Sequence, residues 1–516
     1  MEFIKSCDYN HPGCQPHDSL YRPTRLLEIL DNQTVRVIST SRTETGSYAA
    51  LSHCWGQMQT IKLQSATREK LENGIEVTSL PKSYQEAILV CLKLSISFLW
   101  IDSLCIVQDS KEDWERESVT MRDVYGNSCL NICAAAAANG TEESFLGRSR
   151  GILKVPQIST RWKDGSKDTF FLLYDHAFED INESPLTRRA WVYQEWYLSP
   201  RSLILCHNLL WWHCRWKLTN EETRDELTGH DDFQWFKATD VDCPRSIYPA
   251  GDIRESFLSW FRHVNAYMQM NLTKESDRTV AFSGIVSSFG LSHKLTGTYL
   301  AGLWHAHLPA GLCWYIVNSK TSQSSRYMAP SWTWTSLHGP CKLECLWYPD
   351  DDKLLATLES APDVVPEDCS NLGSVVGCGI TLRGDIVGPV SLGASETSTY
   401  VANKHTGDEQ ATVYFDENDD NGPLITNMGS LPFGEGQSGL RQVERLADHT
   451  GSFFILPIAD VSSEYRVYGL VLYRALHDPM VFSRVGLFES SGISEEERFN
   501  FKVTNKSVAG TLVTIV

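Results

Sequence analysis

The sequence predicts an α/β fold: a mostly parallel sheet flanked by helices, followed by a helical segment and a C-terminal β-rich domain. Three observations predict it. The polar, turn-rich start gives way abruptly to an apolar run at residues 48–53 (YAALSH). A stretch of helical period over residues 81–94 leads directly into the continuous apolar run SFLWID at 97–102. Beyond about residue 325, short β-type runs separated by Gly, Pro and Asp dominate.

The elements follow in order. Residues 1–46 form an N-terminal arm with one short apolar run near Leu26, and residues 48–53 form the first core strand. Pro81 opens a helix in which Ala87, Ile88, Cys91, Leu92 and Leu94 share a face. The strand at 97–102 then completes a strand, helix, strand unit, which calls for parallel pairing. Ser110 caps a second helix, with Asp113 three residues on, and Trp114, Ser118, Met121 and Tyr125 fall on its buried face. Another strand is expected at 129–135. Residues 189–195 and 202–206 close the alternating region, giving an α/β domain at 47–215. A helical region at 216–324 carries Trp260 and Phe261 on a helix and ends another near His307, before Pro309. The β-rich domain occupies 325–516, with strands at 375–382, 467–473, 485–488 and 511–516. The acidic stretch at 416–422 departs from a calcium loop at Asn421 and Asn427 and reads as a solvated loop.

Composition narrows the function. The 516 residues are 42% hydrophobic and 21% charged, which excludes a wholly disordered chain. A net charge of −18 has the wrong sign for holding phosphate backbones, so nucleic acid is not an expected partner. No apolar run has the length of a membrane span and the start lacks signal-peptide character, so a cytoplasmic location is expected. The 15 cysteines are then reduced core residues, metal ligands or nucleophiles rather than a disulfide framework.

Several constellations could carry chemistry. Cys7, His11, Cys14 and His17 offer thiolate and imidazole at C-x3-H-x2-C-x2-H spacing, which suits a structural zinc; the alternative is a loose arm. Asp102 ends a buried parallel strand, where open α/β sheets place their sites, although it could equally cap the turn that follows. Glu117, on the next helix, is either an acid or base tuned by burial or a surface carboxylate. His53 beside Cys54, with Cys105 beyond Asp102, could form a Cys/His nucleophilic pair; inert buried thiols are the alternative. Arg188, Arg189, Gln194 and Glu195 flank Trp191, with Arg201 beyond. Their guanidinium forks suit a phosphate or carboxylate ligand, or an internal pair with Asp102 or Glu195. The chain has no Walker loop, G-x-S-x-G elbow, H-E-x-x-H or dinucleotide-binding glycine motif.

Three blocks together, ALSHCWG at 50–56, LWIDSLCIVQD with DWERESVTMRDVY across 99–125, and LTRRAWVYQEWYLSPR at 186–201, resemble the fungal heterokaryon-incompatibility (HET) domain family. CDYNHPGC at 7–14, DRTVAFSGI at 277–285, LWHAHLPAGLCWY at 303–315 and APSWTW at 329–334 resemble elements of its longer members. The resemblance implies a fungal cytosolic protein associated with non-self recognition and programmed cell death. It also implies a distant likeness to the Toll/interleukin-receptor (TIR) domain, a flavodoxin-like α/β fold some of whose members cleave NAD through one glutamate. Trp114-x-x-Glu117 is the nearest setting for that glutamate; its spacing is one residue short and the neighbouring cysteine is absent.

The first expectation is therefore a death effector acting through self-association or contact with another incompatibility protein. The alternatives are an NAD glycohydrolase using Glu117 or Asp102, with arginines on the pyrophosphate, and a Cys/His-dependent hydrolase or transferase of a small molecule. Side chains of Asp102, Glu117, Arg189 and Glu195 that converge would favour an enzyme.

Overall fold

The structure is a computed structural model. It describes residues 2–11, 13–16, 18–42, 46–56, 61–143, 157–171, 178–221, 253–293, 295, 299–319, 329–345, 354–361, 379–394, 399–402, 409–415, 417–419, 422–427, 442–445, 452–461, 466–474, 482–491 and 507–516. The chain divides into two compact units, Met1–Arg245 with Ala281–Ser288, and Ser246–Val280 with Phe289–Val516.

The first unit is built on a nine-stranded mixed sheet. Helix α1 (Glu2–Asn10) precedes the hairpin β1 (Arg25–Ile29) and β2 (Thr34–Ser39), whose turn is closed by Asp31 Oδ1 accepting from the Gln33 and Thr34 N–H groups. The fully buried β3 (Tyr48–Ser52) follows, then α2 (Arg68–Asn73), β4 (Ile75–Glu76), α3 (Lys82–Leu94) and β5 (Phe98–Trp100). A short α4 (Asp102–Cys105) leads to α5 (Lys111–Gly126), where Ser110 Oγ accepts from the Asp113 N–H as the expected cap. After β6 (Leu130–Cys133) comes a separate hairpin, β7 (Gln157–Arg161) and β8 (Lys167–Phe171). The unit closes with α6 (Ala190–Leu198), β9 (Arg201–Leu205), β10 (Leu210–Cys214) and β11 (Leu218–Asn220).

The strand order is β11-β10-β9-β6-β3-β5-β1-β2-β4. The pairings β9–β6, β6–β3 and β3–β5 are parallel, while both wings are antiparallel. The sheet is thus parallel at its centre only. Short turns join β1 to β2, β9 to β10 and β10 to β11, which only antiparallel pairing allows, whereas β1–β5 and β2–β4 bring together strands distant in sequence. Residues 25–39, expected within the arm, belong to this sheet because Leu26, Leu27, Val35 and Val37 are buried in its core. Residues 190–198, to which the sequence assigned no element type, form a helix in which nearly every residue is buried, Gln194 and Glu195 included.

In the second unit, α7 (Ile253–Met268) buries Trp260 among Phe289, Tyr299 and Trp304, at ring-centroid distances of 5.0, 5.8 and 5.6 Å. Phe289 lies on α8 (Ser283–Ser292), and the other two on β12 (Tyr299–Leu300) and β13 (Leu303–Trp304). The helix expected to end near His307 is instead β13 followed by a single 3-10 turn, His305–His307. Pro309 and the glycines at 302 and 311 leave no uninterrupted helical stretch there.

A hairpin of β14 (Trp314–Ser319) and β15 (Cys341–Cys345) precedes the β-rich part. There β16 (Ala356–Ser360), β17 (Ile380–Ala394), β18 (Thr399–Ala402) and β19 (Glu409–Phe415) lead to a small sheet of β20 (Glu417–Asp419), β21 (Gly422–Asn427) and β22 (Gln442–Arg445). The acidic stretch read as a solvated loop thus contributes two short paired strands. The last strands are β23 (Ser452–Val461), β24 (Arg466–Arg474), β25 (Ser483–Ser491) and β26 (Ser507–Ile515). The order β17-β18-β19-β25-β24-β23 closes on itself through β23–β17, around a core that includes Val387, Phe415, Ile455, Val471 and Phe488. Among the described residues no helix is long and apolar enough to cross a membrane.

Candidate functional site

The parallel centre fixes where the site lies. The chain visits its four parallel strands as β3, β5, β6 and β9, while their spatial order is β5, β3, β6, β9. The chain therefore leaves β3 in one direction and returns on its other side, so β3 and β6 flank a topological switch point at their carboxyl ends, where open α/β sheets bind ligands. His53 follows β3 directly, and Asp102 stands two residues beyond β5.

The His53, Asp102, Arg189 and Glu195 side chains converge there. His53 Nε2 lies 2.8 Å from the Tyr84 hydroxyl and 3.7 Å from Asp102 Oδ1, and that hydroxyl lies 2.7 Å from Ser103 Oγ. Asp102 accepts from the Trp55 indole N–H at 2.8 Å and from the Ser103 backbone N–H at 2.6 Å. Its carboxylate thus accepts from the backbone at the start of α4 and faces the imidazole as well. Arg189 donates to the His53 carbonyl. Asp102, Trp55 and Arg189 are half-buried, whereas His53 and Glu195 are each 3% exposed.

Burial sets the protonation states. The Glu195 carboxyl is pushed up to about 7, first by desolvation; Arg189 and the Ser52 and Tyr125 hydroxyls pull it down, and Asp102 pushes it further up. Glu195 Oε2 is buried without a hydrogen-bond partner among the described residues. His53 is pushed down to about 4 by burial, with Asp102 raising it and Arg189 lowering it, so the imidazole is neutral at neutral pH. Burial raises both nearby thiols, Cys54 and Cys105, the latter to about 12. No hydrogen bond joins His53 to either thiol among the described residues, so neither is activated as a nucleophile in this arrangement.

Other expected site residues lie in different surroundings. Glu117 is buried, 3.3 Å from Arg116 Nε and 4.0 Å from Arg25 Nη1. Arg25 also grips Asp113 through both Nη atoms at 2.8 and 3.0 Å, so Glu117 belongs to an ion cluster between β1 and α5. Gln194 Oε1 accepts from the Gly284 N–H at 3.3 Å, which ties it to the start of α8. Arg188 is exposed, and Arg201 pairs with Asp8 rather than with Asp102 or Glu195. The sequence reading missed Tyr84, Ser103, Ser52 and Tyr125. Tyr84 and Tyr125 lie on helix faces that read simply as core.

A second cluster lies at the other antiparallel wing. Cys7, His11, Cys14 and Cys214 bring one donor atom each to within 4.8 Å of one another, a set that could hold a metal ion. His17 lies outside the described residues, and the fourth donor comes instead from the end of β10. Cys7 and His11 share a face because four residues separate them across the end of α1. The Cys214 thiol is held well below its ordinary range by hydrogen bonds with Cys14 and Cys7, whose own thiols are raised.

Residues 48–195 match the family model described as heterokaryon incompatibility protein (HET). No curated protein and no solved structure matches the chain.

Proposed function

We propose, from the match of residues 48–195 to the heterokaryon incompatibility (HET) family model, that the chain is a fungal cytoplasmic incompatibility effector whose HET domain hydrolyses a nucleotide-like N-glycoside. The observation that supports this reading is the setting of Glu195. It is a buried carboxyl with an unpartnered oxygen and a pKa near 7, in one cluster with half-exposed Arg189 and Asp102 at the carboxyl ends of parallel strands. Ionised, it would oppose the positive charge that grows at the ribose carbon as the glycosidic bond breaks. The base departs with the bond's electron pair, water adds to that carbon, and Glu195 takes the water's proton and returns it to solvent. Arg189 suits a phosphate of the same ligand. Glu117, already engaged with Arg25 and Arg116, has no part in the reaction.

NAD is the first probe. Purified full-length protein should release nicotinamide, and E195Q should lower kcat/KM by about 100-fold or more while E117Q stays within about threefold. Wild-type kcat/KM should rise with pH through about 7, as Glu195 ionises. If neither NAD nor other N-glycosidic nucleotides are cleaved, and toxicity on expression survives E195Q, self-association or partner contact is the working principle instead. For the Cys7–His11–Cys14–Cys214 cluster, zinc is the occupant in this reading, since three thiols and an imidazole are its preferred donors.

A further inference from the structure

Resting on zinc as the occupant of that cluster, we propose that the centre is a structural staple that holds the N-terminal arm against the β10 wing of the sheet, with Cys214 as the ligand that makes the connection.

The geometry suits a closed tetrahedral site. Zinc bonds of about 2.3 Å to sulfur and 2.05 Å to nitrogen at the tetrahedral angle place the two donors about 3.6 Å apart. Cys214 Sγ and His11 Nδ1 lie 3.5 Å apart. Cys7 and Cys14 are fully buried and Cys214 is 1% exposed, so the donors are shielded from solvent on the sulfur side. Four protein donors leave no open position, which marks a structural rather than a catalytic centre.

The arm needs such a tie. Helix α1 has nine residues, too few to be stable alone in water. Its apolar contacts with the core are Phe3, which stacks on Trp212 at 5.9 Å, Ile4 and the donor Cys7 itself, while Tyr9 is 88% exposed. The remaining attachments surround the donors. His11 stacks on Trp216 at 5.9 Å, Asp8 pairs with Arg201, and the Arg215 guanidinium donates to the Gly13 carbonyl. Gly13 itself sits at φ +84°, a left-handed conformation that turns the chain between His11 and Cys14. Partners on the sheet side fall at 201 and 212–216, whereas the donors on the arm span 7–14. A single ion therefore closes a loop of about 200 residues, the kind of closure that constrains the unfolded chain most.

The test uses the full-length protein. Elemental analysis should find one zinc per chain in wild type and less than about 0.2 in C214S. Hydrogen exchange of residues 2–16 should accelerate at least about tenfold in C214S and in chelator-treated wild type, and zinc should restore protection to the wild type only. H11C, which substitutes one zinc donor for another, should retain both metal and protection. Absence of zinc from freshly purified wild type, or a Cys7–Cys14 disulfide seen by mass, would overturn the zinc reading and the staple with it. One equivalent of zinc retained in C214S, with exchange unchanged, would leave the zinc and overturn the staple. Chelation of wild type reports even if C214S fails to fold.

Discussion

Glu195 and His53 lie in one cluster, yet their burial acts on stability in opposite senses. Glu195 binds its proton more tightly when folded, with a pKa of about 7 against an ordinary 4.5, so stability is present below 4.5 and lost as pH rises to 7. Above that the cost is on the order of 3 kcal/mol. E195Q should therefore unfold at higher denaturant concentration than wild type at pH 8 and close to it at pH 4.5. His53 binds its proton less tightly when folded, at about 4 against 6.5, so its contribution is complete above 6.5 and lost as pH falls toward 4. H53Q should flatten that acid limb in the same denaturant titrations. Asp113 shows the other use of buried charge. Burial works against its ionisation, but Arg25, the Val107 N–H and Arg116 outweigh this and hold its carboxyl below the usual range. D113A leaves Arg25 without its bidentate partner and should cost about 3 kcal/mol or more in chemical denaturation.

At the scale of elements, local signals were legible where a helix or strand carries its own instructions. Ser110 capping α5 was readable because its hydroxyl needs only the N–H three residues on; S110A should cost about 1 kcal/mol by the same measurement. The β3, α3, β5 unit was equally plain, since apolar periodicity switches from strand to helix and back. Residues 190–198 were not, because a helix buried all round has no polar face to display its period. Its packing is tight: a Cβ at Gly284 would lie 2.7 Å from Leu198 Cδ1 and 2.8 Å from Gln194 Oε1. G284A should accordingly destabilise the α6 packing by about 1–3 kcal/mol, read as a lowered midpoint of unfolding.

Over the whole molecule, each compact unit manages its sheet edges differently. The first spreads its sheet to nine strands and ends it with short β4 and β11. The second closes its strands into a ring, and closure demands close backbone approach. A Cβ at Gly469 would meet the Leu456 carbonyl oxygen at 2.3 Å and Phe488 at 2.5 Å. G469A should lower the thermal stability of this unit while leaving hydrogen exchange of residues 2–16 unchanged, which separates damage to the ring from damage to the Cys7 cluster. The charge of −18 is likewise a property of the whole chain, and it weighs against phosphate-backbone partners irrespective of fold.

The sequence by itself determined the central strands and helices, the β-rich C-terminal part, and three of the donors at the N-terminus, because each of these is written in neighbouring residues. It also placed His53 and Asp102 at strand ends through apolar runs that stop beside them. Tertiary structure alone decided which carboxylate joined them. Glu117 and Glu195 are both glutamates beside a tryptophan on a helix, and only the folded packing sends one to Arg25 and the other toward Ser52 and Tyr125. The same holds for Cys214, which meets Cys7 across some 200 residues of chain. Ligand sets and buried charges depend on distances that sheet topology creates, and periodicity along a chain carries no record of them.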